Sequence, residues 1–205
     1  AIGAHVSYND RAGFGRESNG VSMEVLKEQL IEQIATLDEI AQASGSAVTY
    51  VKAHGQLYHQ ACVPGSVEAQ TIIDAVRDYR RQTDRQLAIL GFAGSDLIKR
   101  AQDEHLKTAN EAFADRSYTP EGWLVARTEP GALITDPTEA LVRLKRLLRD
   151  REIVAIDGTP IDVRADSICI HGDTPGAVVL ARRVRAAIDS DRVKIAPFAP
   201  PPRAA

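Results

Sequence analysis

Two hydrophobic periods alternate along the chain. Short apolar runs rich in β-branched residues lie around Gly3 and Ala4, over Ala47 to Val51, Gln86 to Gly91, Thr108 to Phe113, Glu152 to Ile156 and Ser167 to Ile170, and each reads as a strand. Between them the apolar residues are spaced by three and four, the period of a helix with one buried face. Met23, Leu26, Leu30, Ile34, Leu37 and Ala41 form one such stripe, with Ser22 as its cap and an end near Ser44, before Gly45. Val67, Ile73, Val76 and Tyr79 follow Ser66, and Leu97, Ile98 and Ala101 follow Ser95. Leu141, Leu144 and Leu148 follow Asp136, Pro137, Thr138, Glu139, a capping box with proline at the first helical position. Thr174 and Pro175 open a last helix through Val178, Leu180, Val184 and Ala187.

Strands alternating with helices predict an α/β protein with a parallel sheet of five or six strands and right-handed crossovers. A turn at Asp157 and Gly158 is expected between the last two strands. Three histidines, His5, His54 and His171, leave apolar strands at similar points, and a closed or nearly closed β/α barrel would bring all such ends around one mouth. A barrel needs more strands than these. The chain also opens inside an apolar strand without an initiator methionine, so an upstream segment is expected. Residues 1–195 read as one domain, N-terminally incomplete, and 196–205, with Pro197, Pro200, Pro201 and Pro202, as an extended or disordered tail.

Composition narrows the class. With 205 residues, 44% of them hydrophobic, the chain can bury a substantial core. A net charge of −3 with scattered Lys and Arg gives no footprint for nucleic acid. No apolar run reaches the length of a membrane span and no leader pattern is present, so a cytoplasmic protein is expected. Cys62 and Cys169 are too few for a disulfide framework, and Cys169 reads as a small core residue.

The candidate chemistry gathers at the strand ends, where α/β proteins place their sites. Val51 to Tyr58 breaks from an apolar run into Lys52, His54, Gly55 and Tyr58. The long polar loop over Val6 to Gly20 offers Asp10, Arg11, Phe14 and Arg16, either as functional groups or as a solvated turn. Imidazole serves as acid, base or ligand near neutral pH, aspartate accepts protons, and arginine holds carboxylates with two bonds. His5, His54 and His171 form the candidate constellation, with Lys52 and the pairs Asp10 with Arg11 and Asp115 with Arg116 adding charge; at least one pair is expected to be a loop-fixing salt bridge. Asp173 either orients an imidazole or caps the next helix. His59 is less compelling, and His105 reads as a surface or C-terminal capping residue. Tyr118, Trp123 and Leu124 form an apolar wall or belong to the core. No phosphate-binding loop, dinucleotide fingerprint, serine elbow or zinc-protease helix is present in the sequence.

These motifs, taken in order, resemble the LamB/YcsF family. The matching stretches are Gly3–His5 with Ser7 and Asp10–Arg16; Val51–Tyr58; Phe92–Ser95; Glu111–Tyr118; and Cys169–Pro175, together spanning residues 1 to about 190. The resemblance implies a seven-stranded β/α barrel related to polysaccharide deacetylases. It also implies ATP-dependent opening of the lactam 5-oxoproline to glutamate, by the A component of a 5-oxoprolinase working with B and C subunits. Family members begin with an acidic Asp, Asn, Asp, Gly, Glu block and a second His, Gly, Asp motif, both missing here. Val6, Asn9 and Ala53 stand where proline is usual, and His59 where asparagine is common.

From the resemblance, the expected catalytic residues are His5, Lys52, His54, Asp115, His171 and Asp173, and the expected substrate-binding residues Asp10, Arg11, Arg16, Tyr58 and Arg116. ATP is the expected cofactor, used with the partner subunits; a divalent metal and a homo-oligomer are left open. Two rival readings stand beside this one: a metal-dependent carbohydrate deacetylase, and a non-catalytic subunit that binds the substrate for its partners.

Overall fold

A computed structural model of the chain describes residues 1–173, 176–190 and 193–199. The chain divides into two units, residues 1–110 with 197–205, and residues 111–196.

In the first unit, β1 (Ile2–Val6), β2 (Val48–Ala53) and β3 (Ala88–Phe92) lie side by side and parallel, and β4 (Thr108–Phe113) begins beside β3. Helices α1 (Met23–Ala43), α2 (Gly55–Gln60), α3 (Val67–Thr83) and α4 (Asp96–Asp103) occupy the connections. The sequence signals that start them hold. Ser22, Ser66 and Ser95 each accept a hydrogen bond from a backbone N–H of the first turn, at Val25, Ala69 and Ile98, a contact worth about 1 kcal/mol. The α1 stripe buries Leu26, Leu30, Ile34 and Ala41, leaving Met23 and Leu37 half-buried. Val67, placed on the buried face of α3 by its spacing, is instead exposed in the first turn, while Ile72, Ile73, Val76 and Tyr79 fill the core.

Charge also enters this core. Asp38 of α1 is fully buried, accepting hydrogen bonds from the Tyr79 hydroxyl, Arg85 Nε, Gln42 Nε2 and the backbone N–H of Val48. Four donors around one carboxylate meet the requirement that a buried charge be paired and bonded. Burial, then the Asp38 bond, pushes the Tyr79 hydroxyl up to about 12.

Strand period places the chemistry. In β1, Ala4 and Val6 are buried on one face and Gly3 and His5 point to the other; in β2, Thr49, Val51 and Ala53 alternate with Tyr50 and Lys52. The parallel register sets Gly3 beside Tyr50 and His5 beside Lys52. A Cβ on Gly3 would lie 2.1 Å from the Tyr50 ring, so only glycine fits there. The ring of Phe198 meets that of Tyr50 at 5.0 Å.

In the second unit the last residues of β4 pair in parallel with β7 (Ser167–Cys169). Helices α5 (Pro137–Asp150) and α6 (Ala177–Ser190) share an apolar cluster of Ile134, Ala140, Leu144, Leu180, Val184 and Ala187. Asp136 caps α5 by accepting from the N–H of Thr138. The expected turn at Asp157 and Gly158 joins β5 (Glu152–Val154) not to the next apolar run but to β6 (Pro160–Asp162), an antiparallel hairpin partner. Proline and aspartate hid that strand, since both are depleted in sheets. Thr174 and Pro175, expected to open α6, lie outside the described residues, as does the tail beyond Ala199. No described helix is long and apolar enough to cross a membrane.

Candidate active site

The first unit carries a cavity of about 540 Å³ whose walls include His5, Ser7, Asp10, Arg11, Phe14 and His54. His5 and His54 meet edge to face, ring centroids 4.7 Å apart. The polar loop of residues 7–17 forms the lip. Asp10 fixes it, its carboxylate accepting from the N–H of Gly13 at 2.8 Å and of Glu17 at 3.2 Å. Gly15 N–H donates to the Asp10 carbonyl, and Arg16 N–H to Gly13. The amides of Asp10, Gly13, Gly15, Arg16 and Glu17 are thus bonded within the loop. The Arg16 guanidinium lies over the Phe14 ring at 5.4 Å.

The loop is bound to the turn after β2. Gln56 N–H donates to the Gly15 carbonyl, His54 Nε2 lies 2.8 Å from the Phe14 carbonyl, and His54 N–H donates to Val6. A Cβ on Gly55, at φ +60°, would come within 2.1 Å of the Gly15 oxygen, so the contact requires glycine. Beneath the lip, Gln33 of α1 bonds the Ser7 backbone twice, accepting from its N–H at 3.0 Å and donating to its carbonyl at 2.9 Å. The Tyr8 hydroxyl donates to Gln60, and burial, then the charge of Glu68, pushes it up to about 12. Neither glutamine stood out in the sequence, because each acts only through a backbone or hydroxyl group remote along the chain. Lys52 Nζ lies 5.8 Å from the centroid of the Tyr58 ring, itself buried. His59 is exposed, and His105 is an exposed residue just beyond α4 with left-handed backbone.

The second unit brings together Asp115 and His171. Register explains the meeting. Phe113 is opposite Cys169 in the β4 and β7 pair, so two further residues on each strand set 115 beside 171. Asp115, 1% exposed, takes the ring Nδ1 of His171 at 3.0 Å from each oxygen, and accepts from the His171 backbone N–H at 2.9 Å. A carboxylate only accepts, so Nδ1 carries the proton and Nε2 is left to exchange one. Burial raises the Asp115 carboxyl, but the side-chain and backbone hydrogen bonds from His171 and its charge outweigh this and hold it below the ordinary value. Phe113 stacks on the imidazole, centroids 5.5 Å apart at 18°. The imidazole is thus oriented by Asp115, 56 residues earlier; Asp173 is exposed.

Arg116 lies inside this unit, 2% exposed, with Nη2 donating to the Val125 carbonyl at 2.6 Å. Among the described residues its Nε has no hydrogen-bond partner. Burial, then the charge of Arg127, lowers its guanidinium, and Asp115 opposes them. Tyr118 is core: fully buried, its hydroxyl accepting from Phe113 N–H. Trp123 is more than a third exposed and Leu124 half-buried. Cys169, expected in the core, is half-buried, as is Cys62, and neither forms a disulfide. Among the described residues no group of three or more His, Cys, Asp or Glu side chains forms a metal-ligand set.

Parallel strands with helical connections, carrying titratable side chains just beyond the strand ends, define an α/β protein of enzyme type. Comparison with known proteins makes this specific: the chain matches the LamB/YcsF family over residues 1–202 and belongs to it. It is 46% identical over 199 residues to the A subunit of 5-oxoprolinase from Paracidovorax citrulli, covering 97% of this chain and 77% of that protein. It is also 46% identical to the A subunit of 5-oxoprolinase from Streptomyces avermitilis, with the same coverage. Among solved structures it is similar to the lactam utilization protein from Thermus thermophilus, with a TM-score of 0.86 and 35% identity over 95% of this chain and 76% of that one.

Proposed function

We propose that this chain is the A subunit of a 5-oxoprolinase and opens the lactam ring of 5-oxoproline to glutamate. The family and its relatives' names support the reaction. The observation that carries the chemistry is the Asp115–His171 pair, a carboxylate-oriented imidazole able to take a proton from water and return one to the departing lactam nitrogen. In the first unit, Arg11 at the cavity is assigned to a carboxylate-bearing ligand and His54 to proton exchange, with His5 and Lys52 supplying polar and cationic surroundings.

ATP coupling, B and C partner subunits, a cytoplasmic location and a complete seven-stranded barrel related to polysaccharide deacetylases belong to the same proposal. Nucleotide binding is assigned to the partner subunits, since this sequence carries no phosphate-binding loop or dinucleotide fingerprint.

The test is glutamate release from 5-oxoproline and ATP by this chain assembled with B and C subunits. Turnover by the parent, reduced about 10²-fold or more in His171→Gln, is expected. No glutamate from the parent contradicts the function. Full turnover by His171→Gln contradicts the residue assignment and favours a subunit that only binds substrate.

A further inference from the structure

We infer that Phe14 is a positioning residue for His54: its backbone carbonyl holds the imidazole in the Nε2–H tautomer, leaving Nδ1 as the nitrogen that exchanges protons. The use of that proton in lactam hydrolysis rests on the function proposed above; the tautomer does not.

A carbonyl oxygen can only accept, so at 2.8 Å from Phe14 O the His54 Nε2 must donate, and the lone pair of the neutral ring lies on Nδ1. The carbonyl is aimed there by an unusual backbone. Phe14 has φ +59°, the left-handed region that bulky residues avoid. The ring stays 61% exposed, with an edge contact to His54 at 5.3 Å and the Arg16 guanidinium over it at 5.4 Å. Bonds on both sides of Phe14 enforce it: Asp10 ties down Gly13, Gly15 and Glu17, and the Gly15 carbonyl receives Gln56 N–H from the turn that carries His54. Gly15 and Gly55 pack so closely that a Cβ at Gly15 would meet Ser7 at 2.9 Å and His54 at 3.1 Å, and one at Gly55 would meet the Gly15 oxygen. Strain held so firmly at a cavity wall is where positioning of a reactive group is expected. What this geometry secures is the carbonyl, not the ring.

The test combines nitrogen NMR of the ¹⁵N-histidine-labelled chain, at a pH where the ring is neutral, with turnover by the chain joined to its B and C partners. The His54 signals are assigned by their loss in His54→Gln. In the parent, Nε2 should show the proton-bearing shift and Nδ1 the lone-pair shift. Phe14→Asn, which tolerates left-handed backbone, should keep that pattern and most of the turnover. Phe14→Val, whose β-branch resists it, should mix the two tautomers and lower kcat roughly tenfold with little change in KM. A proton on Nδ1 in the parent overturns the inference without needing any variant to fold. So does a folded Phe14→Val with the parent's tautomer, or a folded Phe14→Asn without it. A parent that shows the expected tautomer but releases no glutamate contradicts the proposed function and leaves the positioning role standing.

Discussion

His54 and His171 both follow the end of a parallel strand, yet the two units support them in opposite ways. His171 is held by a side chain: buried Asp115 takes Nδ1, so Nε2 is its working nitrogen. His54 is held by main chain: the carbonyl of Phe14 faces Nε2, so Nδ1 works. A carboxylate stabilises the imidazolium that forms when the ring takes a proton, whereas a neutral carbonyl contributes a weaker, uncharged bond. The same residue type in the same kind of position is therefore equipped differently, one by charge and the other by loop geometry.

The largest expected effect comes from removing the charge in the second unit. Asp115→Asn should lower kcat for glutamate release by about 10²–10⁴-fold with little change in KM, because it fails to hold the working tautomer of His171. A loss comparable to that of a surface substitution would break the comparison. In the first unit the sensitive point is backbone. Gly55→Ala puts a side chain at φ +60° against the Gly15 oxygen, and should cost about 1–3 kcal/mol in denaturant unfolding while leaving the His171 to Asp115 proton signal in place. Loss of both sites together would show that they are not independently supported.

Smaller effects sharpen the contrast. Gln33→Ala removes both bonds to the Ser7 backbone and should destabilise the chain by about 1 kcal/mol, read by the same unfolding experiment. Acid should expose Asp115 specifically. Its folded carboxyl lies below the ordinary value of about 3.9, so its stabilisation is complete above the unfolded value and is lost as pH falls through the folded one. The stability difference between the parent and Asp115→Asn should thus narrow as pH falls below about 4. A difference that widens in acid would contradict the assigned direction.

Much of this was legible along the chain because it depends on local pattern. Ser22, Ser66, Ser95 and Asp136 cap the helices the spacing predicts, and Thr108–Phe113 is a strand with the expected bounds. The candidate residues His5, Asp10, Arg11 and His54 do meet at one cavity. What escaped depends on register, burial or main chain. Asp115 reaches His171 through the alignment of β4 with β7, whereas sequence nearness pointed to Asp173. Arg116, expected to bind substrate or to pair with Asp115, has a buried guanidinium that donates to the Val125 carbonyl. Gly55–Gln60 looked only like chemistry and is also a short helix. Asp38, on an apolar helix stripe, gave no sign of the four donors that gather around it. The Phe14 carbonyl is a group every residue has, and only its left-handed backbone makes it distinctive.

The most direct measurement is one nitrogen NMR spectrum of the histidine-labelled chain with both rings neutral. Opposite tautomers are expected, the proton on Nδ1 of His171 and on Nε2 of His54. The same nitrogen protonated in both rings would contradict the division between side-chain and main-chain support.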